Sequence, residues 1–187
     1  MKKDNNHEFL LLNASSKFKI DSSEFKFFLA GFIEGEGSLC VSLKEHKTSK
    51  FGYLIDPEFF LYQHYSGLPI LKATKNLFKT GSIFKKSGSD NVWVYAIYNR
   101  KTIKQKIIPY FLKYVIPFSC KFSFISEFSL IIDKLEKKEH LDLISFINIL
   151  KLVYKLNPNS KGKKRKIEFE LLKSNILRDY TPNKDNL

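Results

Sequence analysis

Residues that could do chemistry are sparse in this chain, and the densest group lies in Leu29 to Ser38, "LAGFIEGEGS". Glu34 and Glu36 stand there among Gly31, Gly35 and Gly37. If the stretch ends a helix, it carries two penalties. A glycine inside a helix costs about 1 kcal/mol relative to alanine. A carboxylate in the last turn meets the negative end of the helix dipole. The two make sense together. Gly31 and Gly35, four apart, share one helical face with Phe27 one turn earlier. A glycine stripe lets a second helix approach closely, as small residues do between membrane helices. The simplest partner is the same helix of another subunit across a two-fold axis. The two Glu36 carboxylates then converge, and a divalent cation between them removes the conflict. Such a cation can polarise a phosphodiester, activate water and stabilise the leaving oxygen. A glycine-rich helix end packed on its own sheet, with Glu36 solvated, is the plainer reading of the same spacing.

Other chemistries find little support. Cys40 and Cys120 lie far apart and make neither a metal-ligand spacing nor a disulfide framework. His7, His46, His64 and His140 are scattered, with no zinc signature and no nucleophile triad. The net charge of +13 points instead to a polyanion, either nucleic acid or an anionic membrane surface. No apolar run approaches the roughly 20 residues of a membrane span. The N-terminal "FLLL" is too short for a signal-peptide core, and Asp4 and Glu8 argue against an imported transit peptide. No membrane partner is expected. With 43% hydrophobic and 15% aromatic residues, the chain can bury a core. Its leaning on Lys, Phe, Ile, Asn, Leu and Ser suits AT-rich coding.

The elements that must position these residues follow from period and punctuation. Residues 1–21 read as an N-terminal arm, and Asp21 with Glu24 fits an N-cap and its capping-box partner. A helix is predicted over Ser22 to Glu36, stopped by Gly37 as a C-cap glycine. "SLCVSLK" alternates as a half-buried strand, and a second strand is predicted near Leu54 to Gln63. A helix opened by Ser66 and Pro69 comes next, then the hairpin "SIFKKSGSDNVWVYAIYN" turning at "SGSD". A helix over Lys101 to Val115 should kink or break at Pro109. Further helices are predicted over Ser119 to Lys138, Leu141 to Leu156 and Lys166 to Leu177, with the basic loop "SKGKKRK" at Ser160 to Lys166. The order is that of an α+β domain with an antiparallel sheet, helices on one side and an open face on the other. That open face would carry Ser82, Phe84, Lys86, Trp93 or Val94, and Tyr95. Polar and aromatic on a basic chain, it suits nucleic acid as well as it suits ordinary solvation.

The segment "FLAGFIEGEGSLCVSLK" (Phe28 to Lys44) closely resembles the LAGLIDADG motif of homing endonucleases. "PEFFLYQ", "LFKTGSIF", "WVYAIYN" followed by "IIPYFLKY", and the late "INILKLVYKLN" with "SKGKKRK" are similar to that family in order. The resemblance spans about Glu24 to Lys166. It implies an α-β-β-α-β-β-α fold whose saddle-shaped antiparallel sheet sits in the DNA major groove, with extra C-terminal helices. One motif per chain implies a homodimer and a long pseudo-palindromic double-stranded target. The domains would be the 1–21 arm, an endonuclease core with its following helices over 22–160, and a basic helical tail over 161–187.

The resemblance also assigns roles. Glu36 would bind Mg²⁺ or Mn²⁺ at the dimer axis, where many members carry Asp. Glu34 would be structural. Gln63, ending the second strand, would order water near the scissile phosphate. Lys121 would be the basic residue beside the active site. Phe27, Gly31 and Gly35 would form the dimer-interface helix. Ser38, Cys40, Ser42 and Lys44 of the first strand would face DNA, with Glu58, Phe60 and Tyr62 of the second and Ser82, Phe84 and Lys86 of the third. Lysine suits guanine edges, glutamate can accept from cytosine, and aromatics can meet thymine methyls. The expectation is a metal-dependent DNA endonuclease encoded in a group I intron of a mitochondrial or chloroplast genome. The alternative is an RNA maturase of the same fold, with the host intron RNA as partner.

Overall fold

A computed structural model describes residues 19–119, 121–156 and 167–180. The N-terminal arm, Cys120 and the basic loop of Ser160 to Lys166 fall almost wholly outside the described residues. Helix α1 (Ser23–Glu36) leads without a connecting loop into strand β1 (Gly37–Glu45). Strand β2 (Tyr53–His64), helix α2 (Leu68–Phe78), strand β3 (Ser82–Lys85) and strand β4 (Val92–Ile97) follow. A continuous helical stretch over residues 100–115, here α3, ends in the 3-10 turn Ile116–Phe118. Then come α4 (Phe122–Glu136), α5 (Leu143–Leu156) and α6 (Phe169–Tyr180). The strand order is β1-β2-β4-β3, the antiparallel α+β sheet expected. Among the described residues no helix is long and apolar enough to cross a membrane.

Local chemistry sets the ends. Ser22, not Asp21, caps α1: its hydroxyl oxygen accepts the Phe25 backbone N–H at 3.2 Å. Glu24 joins the same cap, its pKa lowered by backbone hydrogen bonding and by the Ser22 and Ser23 hydroxyls. At the other end Gly37 is extended, with φ −83° and ψ 145°, and not left-handed as a C-cap glycine would be. Its glycine is demanded by space. A Cβ there would lie 2.5 Å from the Ile33 carbonyl oxygen.

Pro109 does not break α3. A π turn, Ile103–Ile107, precedes its short α segment, and another, Phe111–Val115, follows it. The wider turns accommodate a ring that clashes with the carbonyl four residues back in a regular helix.

The chain divides into two compact units. Among the described residues, the first comprises 19–39 and 59–119. Its core joins Leu29 and Ile33 of α1 to Phe59 and Leu61 of β2, Leu71 of α2, Tyr95 of β4 and Ile107 of α3, all buried. Phe59 meets Tyr95 and Phe111 edge-on, with ring centroids 6.2 and 5.9 Å apart. The Tyr110 hydroxyl donates to the Lys26 carbonyl at 2.6 Å and ties α3 to α1. The second unit comprises, among the described residues, 40–58, 121–156 and 167–180. There Val41, Phe51 and Ile55 are buried along with Phe128, Ile132, Phe146, Leu150 and Leu172. Phe51 packs on Phe146 at 5.1 Å and edge-on to Tyr180 at 5.7 Å.

Candidate active site and nucleic-acid interface

Glu36 is the last residue of α1 and is exposed. It sits where the helix dipole disfavours its charge, with no basic residue in the last turn to offset it. Glu34 is half-buried. Gly31 and Gly35 are exposed, and a Cβ built on either meets nothing within 4 Å. Among the described residues nothing therefore requires these two to be glycine, in contrast to Gly37. Phe27 is 51% exposed and packs edge-on to Tyr114 at 5.3 Å; Phe28 beside it is 62% exposed.

Gln63 lies one residue before the end of β2, opposite Trp93 of β4. Its side-chain oxygen accepts the His64 backbone N–H at 2.7 Å. Gly67 makes room for it: a Cβ on Gly67 would stand 2.2 Å from Gln63 Cγ. Glu36 and Gln63 belong to the first unit. Lys121 belongs to the second, as the exposed residue just before α4.

The β2–β4 register sorts the sheet residues by face. Phe60 pairs with Ala96 and Tyr62 with Val94, while Phe59 pairs with Ile97 and Leu61 with Tyr95. Val94, not Trp93, therefore belongs to the open face. Tyr95, expected on the open face, is instead fully buried on the closed face, its hydroxyl donating to the Thr80 carbonyl at 3.0 Å. Its pKa is driven upward by that burial. Phe84 pairs with Val94 and Ser82 with Ala96, so both occupy the open face as expected.

Within the first unit that face is aromatic. Phe60 lies 6.0 Å from Tyr62 and 5.7 Å from Tyr98 by ring centroid. Lys86 Nζ stands 5.3 Å from the Tyr62 ring, a cation–π contact. Tyr98, 48% exposed, was not among the sequence candidates. Continuing the β4 alternation one step past Ala96 would have found it.

In the second unit Cys40, Ser42, Lys44 and Glu58 form one polar network. Lys44 Nζ donates to Glu58 Oε1 at 2.8 Å and to Asp56 Oδ2 at 2.9 Å. The Cys40 thiol donates to Glu58 Oε2 at 3.6 Å, and the Ser42 hydroxyl to the Asp56 carbonyl at 3.4 Å. Burial, then the Glu58 charge, pushes the Cys40 thiol up to about 12. The Lys44 ammonium is raised, chiefly by its bond to Glu58. Glu58, expected to face DNA, is only 6% exposed. Both of its oxygens are engaged within the protein.

Among the described residues no group of three His, Cys, Asp or Glu side chains could hold a metal. At the end of α1 the chain offers the exposed carboxylate of Glu36. A hard oxygen donor of that kind suits Mg²⁺ or Mn²⁺, which keep several waters and take further oxygens from phosphate. The exposed carboxylate fits such a cation as one of its ligands.

Comparison with known proteins places this geometry. Residues 29–132 match the family model described as LAGLIDADG endonuclease. The DNA endonuclease I-CeuI of Chlamydomonas moewusii is 40% identical over 154 residues, 79% of this chain and 71% of that protein. The chain belongs to the LAGLIDADG endonuclease family. Its motif helix is α1, with Glu36 as the last motif acid. Two solved structures of relatives superpose over most of the chain. The group I intron-encoded homing endonuclease I-CeuI, complexed with DNA, gives a TM-score of 0.80 at 33% identity, covering 94% of this chain and 88% of that one. The archaeal intron-encoded homing endonuclease I-Vdi141I, also complexed with DNA, gives 0.75 at 30% identity, covering 84% and 98%.

Proposed function

We propose that the chain is a homodimeric, Mg²⁺-dependent homing endonuclease that cuts both strands of a long pseudo-palindromic DNA site. The observation that carries this reading is the end of α1: an exposed Glu36 below two glycines whose missing side chains leave open space. That space accepts a second copy of α1, and the approach brings the two Glu36 carboxylates together. A divalent cation, when bound, supplies a Lewis acid and a more acidic water.

The chain's own residues do the rest. Glu36 holds the cation, and Gln63, fixed by its bond to His64 N–H, orients the attacking water. The family resemblance gives Lys121, of the second unit, the role of the basic residue in this chemistry. The open sheet face lies in the major groove, with Ser38, Ser42, Phe60, Tyr62, Ser82, Phe84 and Lys86 towards the bases. Two intron-encoded relatives described as complexed with DNA support the DNA target and an intron origin, and the first of them, encoded in a group I intron, supports that intron class. The AT-rich bias of the composition supports an organellar genome.

The test is cleavage of an intronless host-gene DNA library by the purified protein, with Mg²⁺ and with EDTA. Metal-dependent cutting at one site is expected. Glu36→Gln should abolish it and leave the melting temperature unchanged. Ordinary cleavage by the folded variant would overturn the role given to Glu36.

A further inference from the structure

Between Phe59 and Ser119 the chain holds one acidic residue, Asp90, and Lys85 pairs with it at 3.2 Å. Helices α2 and α3 therefore present cations unopposed by any acid of their own: Lys72 and Lys75, Lys101, Lys106 and Lys113, all exposed. These helices cover the closed face of the sheet. Phe111 packs on Phe59, and Phe78 on Tyr110 at 5.2 Å. Their outer surface looks away from the face assigned to duplex DNA. A duplex is stiff over about 150 base pairs, so one bound along the open face cannot fold back to reach it.

Where α2 ends against α3 lies a groove of about 330 Å³. Lys79, Lys106 and Lys113 line it, with Tyr110 and Tyr114. Lys106 Nζ is fixed by donation to the Phe78 carbonyl at 2.6 Å, and Lys113 Nζ lies 5.3 Å from the Tyr114 ring. Lysines tracking a backbone beside aromatic rings that take a base are the ingredients of a single-strand site. The groove is too small for a duplex.

We propose that the α2–α3 groove is a second nucleic-acid site, which takes an unpaired stretch of polynucleotide while the sheet holds duplex DNA. The strand's phosphates lie along Lys79, Lys106 and Lys113, and one base stacks on Tyr114. The strand comes from an RNA loop or from locally opened DNA, and both present the same chemistry.

The test uses the full chain and fluorescent homopolymers of about twelve nucleotides, within the span such sites cover. Ribo- and deoxyribo-oligomers are titrated by anisotropy over a salt series. The variant pair is Lys79→Asn and Lys113→Gln; asparagine tolerates the left-handed backbone of Lys79. Together they should raise the Kd for the oligomer about tenfold. They should also flatten log Kd against log salt by about 0.7 for each phosphate contact removed. A random duplex should bind them as it binds the parent. Lys86→Gln, on the sheet, should weaken the duplex and spare the oligomer. If the groove variants bind the oligomer unchanged, or if Lys86→Gln weakens it equally, there is no second site. Loss of the oligomer alone, with Lys86→Gln silent towards duplex, would keep the groove and overturn the sheet assignment. The tighter homopolymer names the source of the strand.

Discussion

The ammonium of Lys44 lies 2.8 Å from a carboxylate oxygen of Glu58 that is almost wholly withdrawn from water. The two residues stand on neighbouring strands, and Glu58 also holds the Cys40 thiol. Lys44→Met strands the Glu58 charge. Lys44 is half exposed, so screening limits the loss to about 1 kcal/mol, below the roughly 3–5 kcal/mol of a fully buried pair. Urea unfolding measures it.

Cys40 carries the pH dependence of the same network. Its thiol stays protonated in the fold up to about 12, while an unfolded cysteine ionises near pH 8.5. Above pH 8.5 the folded state binds the extra proton, so stability falls as pH rises towards 12. Glu58→Gln removes one cause of the shift and leaves burial. Alkylation of Cys40 at pH 8, followed by peptide mass, should be slow in the parent and faster in Glu58→Gln. Equal rates would remove Glu58 from the account.

The three motif glycines should separate in mutagenesis. Gly37→Ala forces a Cβ against the Ile33 carbonyl and should cost about 1–3 kcal/mol in the single chain. Gly31→Ala meets nothing and gains up to about 1 kcal/mol of helix propensity. Melting at low concentration should therefore rise for Gly31→Ala and fall for Gly37→Ala. Sedimentation should show Gly31→Ala losing self-association at the same time. A Gly31→Ala protein that still dimerises and cuts would place the subunit contact elsewhere.

Gly67→Ala tests the positioning of Gln63. The added methyl occupies the place of Gln63 Cγ and must displace the side chain. A displacement near 1 Å at a positioning group costs about 100-fold in rate. We expect that loss in single-turnover cleavage, with duplex affinity unchanged. Loss of affinity with the rate preserved would make Gln63 a DNA-contacting residue.

Tyr110→Phe removes the bond from α3 to the Lys26 carbonyl. The Lys26 carbonyl keeps its own helical partner within α1, so the loss is that of one added hydrogen bond, about 0.5–1.5 kcal/mol, readable as a lower urea midpoint. Because that bond ties α1 to α3, amide exchange should quicken within α1.

Much of this was legible in the sequence wherever pattern is local. The period of two in "SLCVSLK" specified the faces of β1, and Ser22 to Glu36 read as a helix from its own residues. What escaped depended on partners distant in the chain. "VWVYAI" is apolar on both faces, since Val94 and Ala96 are as buried as Tyr95. Only the pairing with β2 assigns its sides. The Lys44–Glu58 pair likewise needs the β1–β2 alignment, which no spacing along the chain reveals. Gly37 looked like a left-handed stop, because a glycine after a helix usually is one. Here Ile33 excluded every side chain instead. Pro109 obeyed its local rule, but widened turns on both sides absorbed the clash.

Strand β1 begins on the residue after α1 ends, with Gly37 as the whole joint. Ser38, proposed to face a base, is thus two peptide bonds from Glu36, the carboxylate proposed to hold the cation. On that reading no slack in the backbone separates recognition from scission. A substitution that re-aims the start of β1 towards a new sequence also re-aims Glu36. Retargeting this chain is therefore a coupled problem, in which selection for binding alone will tend to return proteins that hold their new site and leave it whole.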